Sequence, residues 1–226
     1  MKNFSDVFNI SFKNIINLLR VGYSLKELIY KFYILFFLSK IKSFLLYNFR
    51  SRGVSVILHV DAIVEGCRFI ELSDNCYIQR GAWLSVPLFE IKSSLEDRSY
   101  LRIGKNTRIG PNCTISAMNL VDIKDDVVLG PNVTIVDHYH NYNSIEIPIS
   151  NQGICSNGSI IIENNSWIGA NVVIYSSKTD LIIGKHSIIA ANSCVRKSIP
   201  PYTIVSGNPA KPIKEYSFLK DSWVDI

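Results

Sequence analysis

The chain has 226 residues, 47% of them hydrophobic and 19% charged, with a mean hydropathy of +0.17. That length can bury a sizeable core, and the composition excludes a disordered chain. The 24 Lys and Arg against 19 Asp and Glu give +5, which suits nucleic acid, a membrane surface or an acidic substrate until the charges are located.

They are concentrated at the start. Residues 1–53 hold nine basic and two acidic residues and 12 of the 25 aromatic ones, a net of +7, so the other 173 residues sum to −2. Phe4, Phe8, Phe12, Ile15, Ile16 and Leu19 recur at helical spacing. Gly22 and Ser24 interrupt the pattern, and a second helix is predicted from about Leu25 to Phe49. This basic, aromatic-rich segment suits either packing on the body or a partner subunit, or a peripheral seat on an anionic membrane. Its longest strongly apolar uncharged run, 32–39, is far shorter than the ~20 residues of a spanning helix. The start lacks the features of a signal peptide. Five cysteines, with no CxxC pair, fit a reducing compartment better than a disulfide framework. A cytoplasmic protein is expected, peripheral on the inner face of the membrane if residues 1–53 take the second of those roles.

From about Val54 short aliphatic pulses alternate with Gly, Asn, Asp and Pro, and the period is six. Leu72, Ile78 and Leu84 are in register, as are Ile103, Ile109 and Ile115, then Ile123, Leu129 and Ile135. Ile162 and Ile168, then Ile183, Ile189 and Val195, continue the series. A small residue follows four places later at Cys76, Ala82, Thr107, Cys113, Val133, Ser166 and Ser193. Equivalent points on a repeating coil explain this pattern, with Gly and Asn at the corners. Such coils bury their apolar side only by stacking on one another. Residues 54–200 are expected to form this body, interrupted at 85–100 and 139–159, with a shorter break at 175–181 and a closing loop and tail over 201–226.

On these repeats the chain resembles the hexapeptide-repeat acyltransferases, in the sugar and polysaccharide O-acetyltransferase branch that includes the maltose and galactoside enzymes. The resemblance implies a mainly β fold, a left-handed parallel β-helix, preceded here by the helical segment. It also implies a homotrimer with active sites between neighbouring prisms. Four of the five cysteines fall at or near the small inward position and are expected to fill the core.

Where the repeat breaks after VTIVDHYHNY, the resemblance places the chemistry. A sugar hydroxyl is a weak nucleophile until a neutral imidazole takes its proton. Counting without gaps from PNVT puts His140 on the family's catalytic position, with His138 as the alternative and Asp137 able to orient either imidazole. Both histidines could instead be structural. Trp167 matches a family tryptophan beside the coenzyme's pantetheine arm, or is an outward aromatic stacked between coils. Ala170 and Ala191 match small positions along that arm. In KSIPPYTIVSGNPAKPIKEY, Lys197, Lys211 and Lys214 match basic positions near the coenzyme phosphates; each could be a solvated surface charge. Acetyl-CoA is the implied co-substrate, a carbohydrate is the acceptor, and no metal is expected.

There are departures. Gly110 and Met118 stand where the family commonly carries an Asn and an Asp that hold the acceptor sugar, so a rebuilt acceptor pocket is expected. IAANS replaces the usual IGAGS. N-acetylation of an amino-sugar nucleotide is the nearest alternative, and a non-catalytic trimeric scaffold is one of another class. A zinc enzyme would need a spaced histidine set that His59 and His186 do not supply. Nucleic-acid binding has no support in a faintly acidic repeat region.

Overall fold

The computed structural model describes residues 47–87, 97–156, 158–176 and 179–226. The helices expected over 4–46 lie outside them. Residues 47–49, predicted to end the second helix, are not helical. Phe49 is instead buried at the base of the core, and Ser51–Arg52 already pair with Glu71 and Leu72. The backbone there has coil partners, which a helix would forgo.

Three parallel strand stacks form the three faces of a left-handed β-helix. The first face runs Ser51–Arg52, Ile70–Leu72, Leu101–Ile103, Val121–Ile123, Ile160–Ile162 and Leu181–Ile183. The second contains Ile57–Leu58, Tyr77–Ile78, Arg108–Ile109, Val128–Leu129, Trp167–Ile168 and Ile188–Ile189. The third runs from Ile63–Glu65 through Trp83–Ser85, Thr114–Ser116, Thr134–Val136 and Val173–Tyr175 to Cys194–Val195.

The period of six follows from this geometry. Each lead aliphatic residue points inward from the same place on a face, so Ile103, Ile109 and Ile115 lie under Ile123, Leu129 and Ile135. All of the in-register aliphatic residues named above are at most 2% exposed. The small residues four places later are also buried, where the coil narrows at its corners.

The corners differ from the expectation in one respect. Asn75, Asn106, Asn112, Asn132, Asn165, Asn171 and Asn192 all adopt positive φ, between 56° and 62°. Asparagine tolerates that left-handed conformation because its short amide can bond locally. Its side chains also stack, with Asn112 to Asn132 at 3.4 Å, Asn132 to Asn171 at 3.0 Å and Asn171 to Asn192 at 3.1 Å. Gly130 does not supply a turn conformation but room: a Cβ there would lie 2.9 Å from the Ala170 nitrogen of the next coil.

The cysteines also need correction. Cys76 and Cys113 are fully buried, but Cys67, Cys155 and Cys194 are only partly so. Cys194 follows the inward Ser193, and strand alternation turns it outward.

Ser85 belongs to the third face, paired with Ser116, so the first interruption begins after it. The second leaves that face after Val136; Tyr139–His140 and Ile154–Cys155 pair antiparallel at its base. The C-terminal stretch, expected as loop and tail, is largely strand. Thr203–Ser206 adds to the second face, and Lys211–Ser217 and Ser222–Asp225 fold back antiparallel upon it. They satisfy the edge that a last coil would leave open. Among the described residues no helix is long and apolar enough to cross a membrane.

Candidate active site

Asp137 sits where the chain leaves the third face, and it is completely buried. A buried carboxylate needs donors, and the preceding coil provides them. The backbone N–H groups of Met118, Asn119 and Leu120 each donate to it at 2.8 Å. The Nδ1 of His138 lies 3.1 Å from Asp137 Oδ1. With the carboxylate as acceptor, Nδ1 carries the proton and Nε2 keeps its lone pair. The Ser156 hydroxyl donates to the Asp137 carbonyl at 2.8 Å, drawing the end of the second interruption to its beginning.

Asp137 is thus brought to His138 and not to His140. His138 keeps 15% side-chain exposure. His140 is exposed on the short antiparallel pair, opposite Ile154, and makes no side-chain hydrogen bond among the described residues. Beyond it Gln152 braces the loop, accepting from the Ser144 N–H at 3.0 Å and donating to the carbonyls of Ser144 and Ile147. Tyr142, Ile145, Ile147 and Ile149 are left exposed there, Ile145 almost completely at 97%.

The other expected positions fall in four places. Trp167 lies on the second face between Val128 and Ile188 and is 54% exposed, so its neighbours do not cover it. Among the described residues no ring contact joins it to either histidine. Ala170 and Ala191 occupy one corner on successive coils, half-buried and exposed respectively. Lys197 lines a cleft of about 300 Å³ with Arg196, Tyr175, Ser176, Asp180 and Ser198. Lys211 is exposed on the C-terminal pair of strands, and Lys214 is held by Asp225 at 2.7 Å. Such a surface pair contributes little stability and leaves the lysine able to exchange partners.

Gly110 and Met118 offer no acceptor side chain of the expected kind. Met118 instead takes part through its backbone, as one of the three donors to Asp137. Arg98, Asn119, Ser156 and Ser159 surround the same turn; Arg98 belongs to the charged first interruption, and the other three were given no role by the sequence. A polar residue in an otherwise apolar corner, Asn119 in AMNLV, was the one available signal. His59 contacts Asp61 at 3.5 Å, and His186 stacks on Tyr202 with ring centres 6.0 Å apart. Among the described residues no three His, Cys, Asp or Glu side chains are grouped to hold a metal ion.

The family described as the hexapeptide repeat of succinyl-transferase matches residues 100–136, 151–176 and 159–197. Over these segments the chain is similar to that hexapeptide-repeat family. The chain is 33% identical over 138 residues to the galactoside O-acetyltransferase of Escherichia coli K12, covering 61% of the chain and 63% of that relative. It is 30% identical over 147 residues to the galactoside O-acetyltransferase of Lactococcus lactis, covering 62% of the chain and 60% of that relative. The chain therefore spans less than two thirds of these relatives' lengths. Among solved structures, AntD, an N-acyltransferase from Bacillus cereus in complex with dTDP and 3-hydroxybutyryl-CoA, aligns with a TM-score of 0.61. That alignment has 19% identity and covers 74% of this chain and 83% of that one, a likeness of fold.

Proposed function

We propose that this protein is an acetyl-CoA-dependent O-acetyltransferase that acetylates a sugar hydroxyl of a surface polysaccharide or its precursor. The observation that carries the reading is the Asp137–His138 contact, with an exposed His140 two residues on, at the point where a hexapeptide coil opens into a loop. The galactoside O-acetyltransferase relatives support the acetyl group and the acceptor class. His140 is the general base. It is exposed, it opens the loop, and it holds the family's register. Its imidazole would take the acceptor proton as the hydroxyl attacks the thioester carbonyl, and CoA would leave as the thiol. Trp167, Ala170 and Ala191 would lie along the pantetheine arm, with Lys197, Lys211 and Lys214 toward the phosphates. Lys214 would exchange Asp225 for a phosphate.

One observation favours a second assignment within the same reaction. Asp137 fixes the tautomer of His138, leaving Nε2 as the acceptor a base requires. Release of CoA from acetyl-CoA, followed across polysaccharides, nucleotide sugars and lipid-linked oligosaccharides, tests both levels. His140→Ala is expected to lower kcat by roughly 10²–10⁴-fold with the fold retained. Full activity in that variant with loss in His138→Ala would move the base to His138. No turnover of any hydroxyl or amine acceptor by the native protein would overturn the enzymatic reading.

A homotrimer completes the proposal. The exposed side chains of Ile145, Ile147 and Ile149 beside the candidate base suit burial against a second copy.

A further inference from the structure

Asn119 stands where the two interruptions of the repeat meet. A guanidinium can only donate, so the contact of Arg98 Nη2 at 3.1 Å assigns the Asn119 amide oxygen to that side. The amide nitrogen then faces Ser159 and donates to its Oγ at 3.1 Å. Arg98 lies near the end of the first interruption and is itself held over the Tyr100 ring, 4.5 Å from its centre. Ser159 ends the second interruption, and its N–H donates to Asp180 at 2.8 Å. The side chain of Asn119 therefore pins one turn between both segments.

That turn is the one that cradles Asp137. The Asn119 N–H is the middle member of the three donors, and an ionised carboxylate has about four acceptor positions. Three backbone donors and His138 Nδ1 fill them. A shift of the turn must move the carboxylate, because nothing else can replace those donors in a fully buried place. Moving the carboxylate frees the His138 ring and loosens the root of the strand that presents His140.

We propose that Asn119 is a positioning residue for the candidate imidazoles, acting through Asp137. It makes the two interruptions of the repeat one mechanical unit, so the first segment bears on the base although Arg98 lies 40 residues before His138 in sequence. The proposal rests on the reaction assigned above, and its test is chosen to separate the two.

The test uses the full chain labelled with ¹⁵N at its histidine rings, as native protein, Asn119→Ala and Asn119→Asp. Aspartate keeps the acceptor for Arg98 and can accept from the Ser159 hydroxyl. Asn119→Ala is expected to convert His138 from a single Nδ1–H tautomer to a mixture. It should lower kcat roughly 10-fold while KM for acetyl-CoA stays within about twofold, and Asn119→Asp should restore both readouts. An unchanged His138 tautomer in a folded Asn119→Ala protein overturns the proposal. So does an altered tautomer with unchanged kcat. Where Asn119→Ala fails to fold, Ser159→Ala removes one of its two side-chain contacts and is read by the same criteria. The ring nitrogens need no acceptor, so an inactive native protein would sink the reaction while this coupling could still be measured.

Discussion

Cys76 and Cys113 sit at inward corners, where burial pushes their thiols up from 9.0 to about 12 and about 11. The cause is desolvation, which backbone hydrogen bonds only partly oppose. Both thiols keep their protons in the folded chain at pH values where the unfolded chain has released them. Between about pH 9 and about pH 11 the unfolded state binds fewer protons, so stability falls as pH rises. The slope reaches at most about 1.4 kcal/mol per pH unit for each thiol, and below about pH 9 the effect vanishes. Thermal melts should show Tm falling across that window, and a Cys76→Ala, Cys113→Ala double variant should flatten the fall. An equally steep fall in the variant would assign it to other groups. Asp137 teaches the complementary lesson at this scale. Its neighbours in sequence suggested a partner for either imidazole, and in fact three of its four ligands come from a turn 17 to 19 residues earlier. No local pattern encodes that meeting.

The coil and the loop that leaves it differ in how plainly the sequence announces them. The coil was legible because every position recurs: Ile103, Ile123, Ile162 and Ile183 name one point on a face four times over. Its corners were only half legible. Gly and Asn are both turn residues, yet Asn takes the left-handed conformation while Gly130 gives way to the backbone above it. The loop between His140 and Ile154 has no repeat to read. Its bracing by Gln152 and its uncovered isoleucines emerge only with the fold. At this level the trimer can be tested. Replacing Ile145 and Ile149 together with Ser removes apolar surface that is now exposed, so the isolated fold should be undisturbed. Light scattering should show the native mass at three chains and a lighter species for the variant; a native monomer would remove the assembly from the proposal.

For the whole molecule, the net charge of +5 is the sum of two unlike parts, a +7 segment over residues 1–53 and a faintly acidic body. We infer that the segment brings the protein to an anionic membrane surface, where the lipid-linked acceptor of the proposed reaction would be presented. Flotation with vesicles containing phosphatidylglycerol should carry the full chain upward and leave a chain lacking residues 1–46 behind, with salt weakening the effect. Equal flotation of the two proteins would refute it.

The β-helix body also has a beginning and an end that its repeat does not dictate. Each coil offers the next the same row of donors and acceptors, so nothing within a coil limits their number, and one molecule could in principle continue into another. The strands Lys211–Ser217 and Ser222–Asp225 reverse direction on the second face, and their backbone presents an antiparallel edge where a further coil would need a parallel one. The C-terminal pair thus acts as a terminator of growth. It keeps a template capable of extending into a fibre as a particle of finite length.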